Sequence, residues 1–228
     1  GYTVPVVLHL DHAEEFELIE RAIDHGFTSV MYDGSQLPFR ENIRNTRKVV
    51  RKARLRGVSV EAELGFVGGA ELSGESSGES RLTDPAQVVE FVSETGIDAL
   101  AVSIGTSHGV YESEPELNIP RLREINRVSK VPLVLHGGSG TPDVQIVTAI
   151  RNGISKVNSY SDLRAAAMEG LKSSATFQSR TDPLPDEMFS PIRQALHEAI
   201  REKIRLTYHY PQLVGKVSQA ILRSRGFD

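Results

Sequence analysis

The stretch Val131-Pro132-Leu133-Val134-Leu135-His136-Gly137-Gly138-Ser139-Gly140-Thr141-Pro142-Asp143 joins a short apolar run to a glycine-rich turn and then to a helix start. The helical pattern Pro142–Asn152 stops at Gly153, and a new apolar run, Ile154–Val157, follows at once and ends at Asn158-Ser159-Tyr160-Ser161. The same order repeats upstream. Val4–Leu10 leads into Asp11-His12, and Ser29–Tyr32 into Asp33-Gly34-Ser35. Val58–Leu64 leads into Gly65, and Ala99–Ile104 into Gly105-Thr106-Ser107-His108-Gly109. Between these runs lie Glu14–His25, Arg40–Arg56, Pro85–Thr95 and Ile119–Val128, amphipathic segments of helical length. Thr83-Asp84-Pro85 and Thr141-Pro142-Asp143 each place a capping residue near a first-turn proline. Gly26, Gly57, Gly96 and Gly153 stand just past helix ends, where a left-handed residue is wanted. The pattern is six successive β/α units, which means an α/β fold with a parallel sheet.

Such a sheet either closes into a barrel or stays open and doubly wound. Two features favour a TIM (β/α)8-type barrel. Polar, chemically loaded residues follow nearly every strand, at the end where barrels keep their sites. The early Gly-x-Gly-x-x-Gly turn of dinucleotide-binding open sheets is missing from the sequence. A barrel of this type has eight strands, so the first two β/α units, roughly 70 residues, are expected to be missing from the chain. The expected organisation is a single β/α barrel domain over residues 1–228, N-terminally incomplete. Residues 65–81 (GFVGGAELSGESSGESR), polar and rich in Gly and Ser, read as a mobile active-site loop. Residues 190–228 read as a C-terminal helical tail with an apolar stripe at Ile192, Ala195, Leu196, Ala199, Ile200 and Ile204.

Composition excludes several function classes. A formal charge of −4 with pI near 6.0 carries no basic footprint for nucleic acid. No run approaches the ~18 apolar residues of a membrane span. The start, Gly1-Tyr2-Thr3-Val4-Pro5, has no signal-peptide pattern, and the expected compartment is the cytoplasm. With no cysteine in the chain, a metal site has to rest on histidine and carboxylates.

Of seven histidines, His25 falls in a helix's last turn, where a cation meets the macrodipole, and His197 lies within the tail helix. His12, His108 and His136 differ from these: each falls at the C-terminal end of a different strand. In a barrel those ends converge around one axis. Three imidazoles with an open fourth position make a catalytic zinc site. His9, two residues before Asp11 on the same strand face, is expected to support the site from behind.

Seven blocks then occur in order. They are His9-Leu10-Asp11-His12, Tyr32-Asp33-Gly34-Ser35, Glu61-Ala62-Glu63-Leu64-Gly65, Gly68-Gly69-Ala70-Glu71, Gly105-Thr106-Ser107-His108-Gly109, His136-Gly137-Gly138-Ser139-Gly140 and Lys156-Val157-Asn158. Over residues 4–206 the chain closely resembles the class II, zinc-dependent fructose-bisphosphate and tagatose-bisphosphate aldolases. The resemblance implies reversible cleavage of a ketose 1,6-bisphosphate to glycerone phosphate and glyceraldehyde 3-phosphate. It implies one catalytic Zn2+ on His12, His108 and His136, an alternative metal position at Glu63, and room for a monovalent cation. Asp11 is implied to exchange the C4 hydroxyl proton, and Glu71, on the loop, the C1 proton. Asp33 and Ser35 are implied to border the substrate. Gly109, Gly137, Gly138 and Ser139 offer amides to phosphate, and Asn158 and Ser161 lead into a helix whose N-terminus favours an anion. A homodimer or homotetramer is the family expectation.

Ser159-Tyr160-Ser161 departs from the small residue and threonine usual in the family's phosphate block, and Ala70 stands where some members carry a second glutamate. Two rival readings follow. A Schiff-base aldolase would need a desolvated strand-end lysine; only Lys156 comes near, and the three histidines would be unexplained. A non-catalytic or truncated aldolase-like subunit, binding zinc but acting only with a partner chain, is opposed by the presence of Asp11 and Glu71.

Overall fold

The computed structural model describes residues 4–68, 80–107, 115–174, 182 and 184–208. The strands are β1 (His9–Ala13), β2 (Ser29–Tyr32), β3 (Ser59–Leu64), β4 (Ala99–Val102), β5 (Leu133–Leu135) and β6 (Ile154–Val157). They alternate with helices α1 (Phe16–Asp24), α2 (Phe39–Arg54), α3 (Pro85–Thr95), α4 (Ile119–Val128) and α5 (Asp143–Arg151); α6 (Ser161–Ser174) and α7 (Pro185–Tyr208) close the sequence order. Every neighbouring pair of strands is parallel, and the sheet runs β1-β2-β3-β4-β5-β6 without a reversal. A doubly wound sheet reverses its strand order at a switch point, whereas a barrel wall does not. The six strands form a curled half-barrel, consistent with a TIM-type barrel.

The period of two sorts side chains onto the two faces of this wall. Val30, Tyr32, Val60, Ala62, Leu64, Leu100, Val102, Leu133, Leu135 and Ile154 join Ile43, Val49, Phe91, Leu122, Ile125 and Ile146 from the helices in the main core. Met31, Ala101 and Val134 form a small separate cluster on the other, inward face. Register sets who else lines that face: Met31 pairs with Glu61, Glu63 with Ala101, and Val134 with Lys156. Charged side chains on a strand's inward positions are costly unless paired; here Glu61 pairs with Lys156, and Glu63 faces His136.

Element bounds follow the sequence closely at α3, α4, β2 and β6. At α3, Asp84 Oδ1 accepts from Ala86 N–H at 2.9 Å and Pro85 fills the first turn, as the cap signal predicts. Gly96 then takes φ +68° at the helix end. The second cap differs: the N-cap of α5 is Pro142, whose ring offers no acceptor, and the Thr141 hydroxyl donates to Gly137 O at 3.1 Å. The first strand also differs. The expected run Val4–Leu10 is in the sheet only from His9, and Val6 is 91% exposed. Apolar character does not make a strand where no ladder partner is on offer; among the described residues β1 pairs on one side only, with β2.

One correction concerns the segments outside the wall. The helical tail begins at Pro185 rather than residue 190, with Glu187 Oε2 accepting from Leu184 N–H at 3.0 Å just before its first turn. Pro191 lies inside α7 and does not start it. Of residues 65–81, only the base is described: Phe66 and Arg81 exchange both backbone hydrogen bonds, which draws the two ends together. Residues 69–79, and the tail beyond 208, lie outside the described residues.

Beside that base, fully buried Thr83 stitches β3 to β4. Its hydroxyl donates to Leu64 O at 2.5 Å and accepts from Ser103 N–H at 2.8 Å. Thr83→Val keeps the shape and leaves both backbone groups without their partner. A loss of about 1–3 kcal/mol is expected, read from the urea midpoint at an unchanged m-value.

Candidate metal centre and active site

The strand ends bring Asp11, His12 and His136 together. One donor atom from each lies within 4.8 Å of the others, and the rings of His12 and His136 meet edge to face at 4.5 Å. His12 reaches this place through an irregular backbone. Between the pairs Leu10↔Val30 and Ala13↔Tyr32, β1 advances three residues while β2 advances two, so β1 carries a bulge. Within the bulge His12 adopts φ +46°, a left-handed conformation uncommon for a residue with a Cβ.

Carboxylates orient both rings. Asp33 Oδ2 accepts from His12 Nδ1–H at 2.7 Å, and Asp33 Oδ1 accepts from the Ser35 amide at 3.0 Å and hydroxyl at 2.7 Å. With Nδ1 so engaged, Nε2 is the His12 nitrogen able to act as a ligand. Fully buried His136 donates Nε2–H to Glu61 Oε1 at 2.9 Å, and its Nδ1 lies 3.3 Å from Glu63 Oε2. Glu63 is itself fixed: Oε1 accepts from Val67 N–H at 3.0 Å, and its backbone carbonyl accepts from Asn42 Nδ2 at 2.9 Å.

Asp11 is held from two sides. Asn158 Nδ2 donates to its Oδ2 at 3.0 Å, and His9 Nε2 stands 3.5 Å from Oδ1. His9 is anchored in turn through Nδ1 to the Ser29 hydroxyl at 2.7 Å. The Asn158–Asp11 bond joins the end of β6 to β1, the two outer strands of the sheet.

These contacts set the charges. Burial works against ionisation of Asp33, but hydrogen bonds from His12 and then Ser35 outweigh it and bring the carboxyl down to about 2. Burial likewise opposes the charged form of Asp11, yet His9 and then the nearby histidines hold it below the usual carboxylate range. Burial lowers both imidazoles, but Asp33 raises His12, while Glu61 and then Glu63 push His136 up to about 10. A low-dielectric pocket therefore gathers two imidazoles and several carboxylates. Nitrogen and oxygen donors crowded this closely, with excess negative charge, suit a borderline divalent cation such as zinc.

Other expected site residues fall at the same mouth with partners inside the protein. Gly138 N–H donates to Asn158 O at 3.1 Å. The Ser139 hydroxyl accepts from the amides of Tyr160 at 3.0 Å and Asp162 at 3.3 Å, across the start of α6, where Ser161 is the first residue. Gly137 has φ +66°, and a Cβ there would collide with Ser107 O. His108, Gly109 and Glu71 lie outside the described residues. Two residues that sequence reasoning left without a role join the network: Glu61, and Lys156, whose Nζ donates to Glu61 Oε2 at 2.8 Å. The signal for Glu61 is the alternation of apolar and charged residues in Ser59-Val60-Glu61-Ala62-Glu63-Leu64; Lys156, in Ile154-Ser155-Lys156-Val157, has no such pattern around it, and it turns inward where the register with β5 shifts.

Known proteins resemble the chain in sequence and in fold. The chain is 42% identical over 203 residues to a fructose-bisphosphate aldolase of Staphylococcus aureus (strain Mu50 / ATCC 700699), covering 89% of this chain and 70% of that protein. The crystal structure of the YdjI aldolase from Escherichia coli K12 superposes with a TM-score of 0.76 at 41% identity, over 90% of this chain and 70% of that one. A fructose-bisphosphate aldolase structure from Campylobacter jejuni gives a TM-score of 0.66 at 26% identity, over 92% of this chain and 71% of that one. The model of the family described as fructose-bisphosphate aldolase class-II matches residues 1–210. With the fold, the strand-end cluster and the sequence match in agreement, the chain belongs to the class II fructose-bisphosphate aldolase family.

Proposed function

We propose that this chain is a zinc-dependent aldolase that reversibly cleaves a ketose 1,6-bisphosphate, of the fructose or tagatose type, to glycerone phosphate and glyceraldehyde 3-phosphate. The observation that carries the reading is the meeting of Asp11, His12 and His136 within 4.8 Å at one mouth of the sheet. His12, His136 and His108 would hold the metal, with Glu63 as an alternative ligand. When bound, zinc supplies a Lewis acid for the substrate carbonyl, where negative charge develops during carbon–carbon cleavage.

The chain's own groups do the rest. Asp11, ionised at neutral pH and aimed by Asn158 and His9, accepts the C4 hydroxyl proton in cleavage and returns one to the aldehyde in condensation. Glu71 exchanges the proton at C1 of glycerone phosphate. Asp33 keeps the His12 ring in one tautomer, and Ser35 keeps Asp33 in place. Gly109, Gly137, Gly138, Ser139, Asn158 and Ser161 border the phosphate near the start of α6, whose N-terminus favours an anion. A monovalent cation, a homodimer or homotetramer, and a cytoplasmic location belong to the same reading. Among the described residues no helix is long and apolar enough to cross a membrane.

A coupled assay on fructose and tagatose 1,6-bisphosphate, with and without chelator, tests this. Cleavage of at least one, lost with chelator and restored by zinc, is the expected result. Activity that survives complete metal removal, with borohydride trapping substrate on Lys156, would replace the reading with Schiff-base chemistry.

A further inference from the structure

Lys156 and Glu61 have no part in the chemistry just described, yet they meet inside the wall. β3 and β6 are not neighbours; β4 and β5 run between them. Lys156 lies beside Val134 in the ladder, and Glu61 beside Ala99. Ala99 and Ala101 are the inward residues of β4, small enough to leave an opening through which the lysine crosses. Its Nζ reaches Glu61 Oε2 at 2.8 Å, and the other oxygen of the same carboxylate accepts from His136 Nε2–H at 2.9 Å. Glu61 is 3% exposed, so each oxygen has its own partner in a nearly dry environment. Apolar residues of similar volume often stabilise such a place as well as an ion pair does, so the pair is weak evidence for stability. What it does is fix a direction. With Oε2 clamped, Glu61 presents Oε1 to Nε2 of His136, and the ring turns Nδ1 toward Glu63 and the strand-end cluster.

We infer that Lys156 and Glu61 are positioning residues for His136: the lysine locks the carboxylate, and the carboxylate sets the tautomer and orientation in which His136 offers Nδ1 to a metal. The inference rests on the metal reading above. Carboxylates that receive the second N–H of a ligating histidine commonly contribute about 10–100-fold to metal affinity. Glu61→Gln should weaken zinc binding by about that factor, because an amide accepts the Nε2–H less strongly and is not gripped by the lysine. Lys156→Met should act in the same direction by about tenfold, and Lys156→Arg, which can still reach across and pair with the carboxylate, should restore most of it.

The experiment is chelator competition for zinc on the purified chain, with the absorption spectrum of the Co2+-substituted protein as a second readout. Weaker zinc binding and an altered Co2+ ligand-field spectrum in E61Q and K156M, with recovery in K156R, are expected. A purely structural ion pair would lower the melting temperature and leave spectrum and affinity unchanged, and that outcome overturns the inference. If E61Q fails to fold, K156M and K156R decide it alone, since the lysine is the outer member of the pair. Wild-type chain that binds no zinc would instead remove the metal reading itself; wild-type binding matched by all three variants removes only this inference.

Discussion

Replacement of Asp11 by alanine is expected to lower kcat/KM for ketose-bisphosphate cleavage by about 10²–10⁴-fold while zinc stays bound. Two features make this the sharpest test of the site. Asp11 is ionised at neutral pH, so it is a proton acceptor, and Asn158 and His9 aim it from opposite sides. It also lies in the same 4.8 Å group as the two histidines, close enough to be a ligand itself. Metal content therefore separates the roles. An alanine variant with full zinc and little activity assigns Asp11 to proton transfer, whereas zinc lost in step with activity makes it a ligand and overturns that assignment.

The second large effect concerns stability as well as metal. His136→Ala should abolish stoichiometric zinc binding and lower the stability of the metal-free chain by about 3–5 kcal/mol. The ring is fully buried between Glu61 and Glu63, and its removal leaves Glu63 without the charge that faces it and Glu61 with Lys156 alone. This stabilisation has a pH signature. The folded chain holds the His136 proton up to about 10, against an ordinary 6.5. The contribution is thus complete below pH 6.5 and fades as pH rises through 10. Melting temperatures of metal-free wild type should fall from pH 7 to pH 10, and H136A should lack that part of the slope. Zinc needs the neutral ring, so its binding at pH 7 should release protons, visible as a buffer-dependent heat. A variant as stable as wild type and with full zinc would remove His136 from the site.

The architecture is legible in the sequence wherever a local signal decides it. At α3 the cap, proline and terminal glycine all act within the helix itself, and its predicted bounds coincide with those observed. Thr141 carries the same signal and does something else: the helix starts one residue later, with Pro142 at the cap, and the Thr141 hydroxyl closes the turn on Gly137 O. Val4–Leu8 has the composition of a strand, but pairing depends on a neighbour that composition does not report. The strand-end histidines are visible because β/α rhythm alone places His12 and His136 at the same mouth. Their orienting partners are harder to see. Asp33 serves His12 across 21 residues, Glu61 serves His136 across 75, and Asn158 serves Asp11 across 147. Asp33 and His12 close neighbouring strands, whereas the curl of the sheet brings the other two pairs together. The alternation in β3 carries part of this information, since a charge on an inward strand position needs a partner somewhere on that face.

The bulge in β1 has a consequence for how the site is dimensioned. In a regular strand, successive side chains leave by opposite faces, so one strand end would present either an acid or an imidazole to the mouth. The extra residue and the left-handed turn at His12 let Asp11 and His12 serve it together. Their spacing is then set by a single peptide unit, a covalent ruler that thermal breathing between strands does not stretch. The proposed proton acceptor and the proposed metal ligand keep one separation even as the walls around them move.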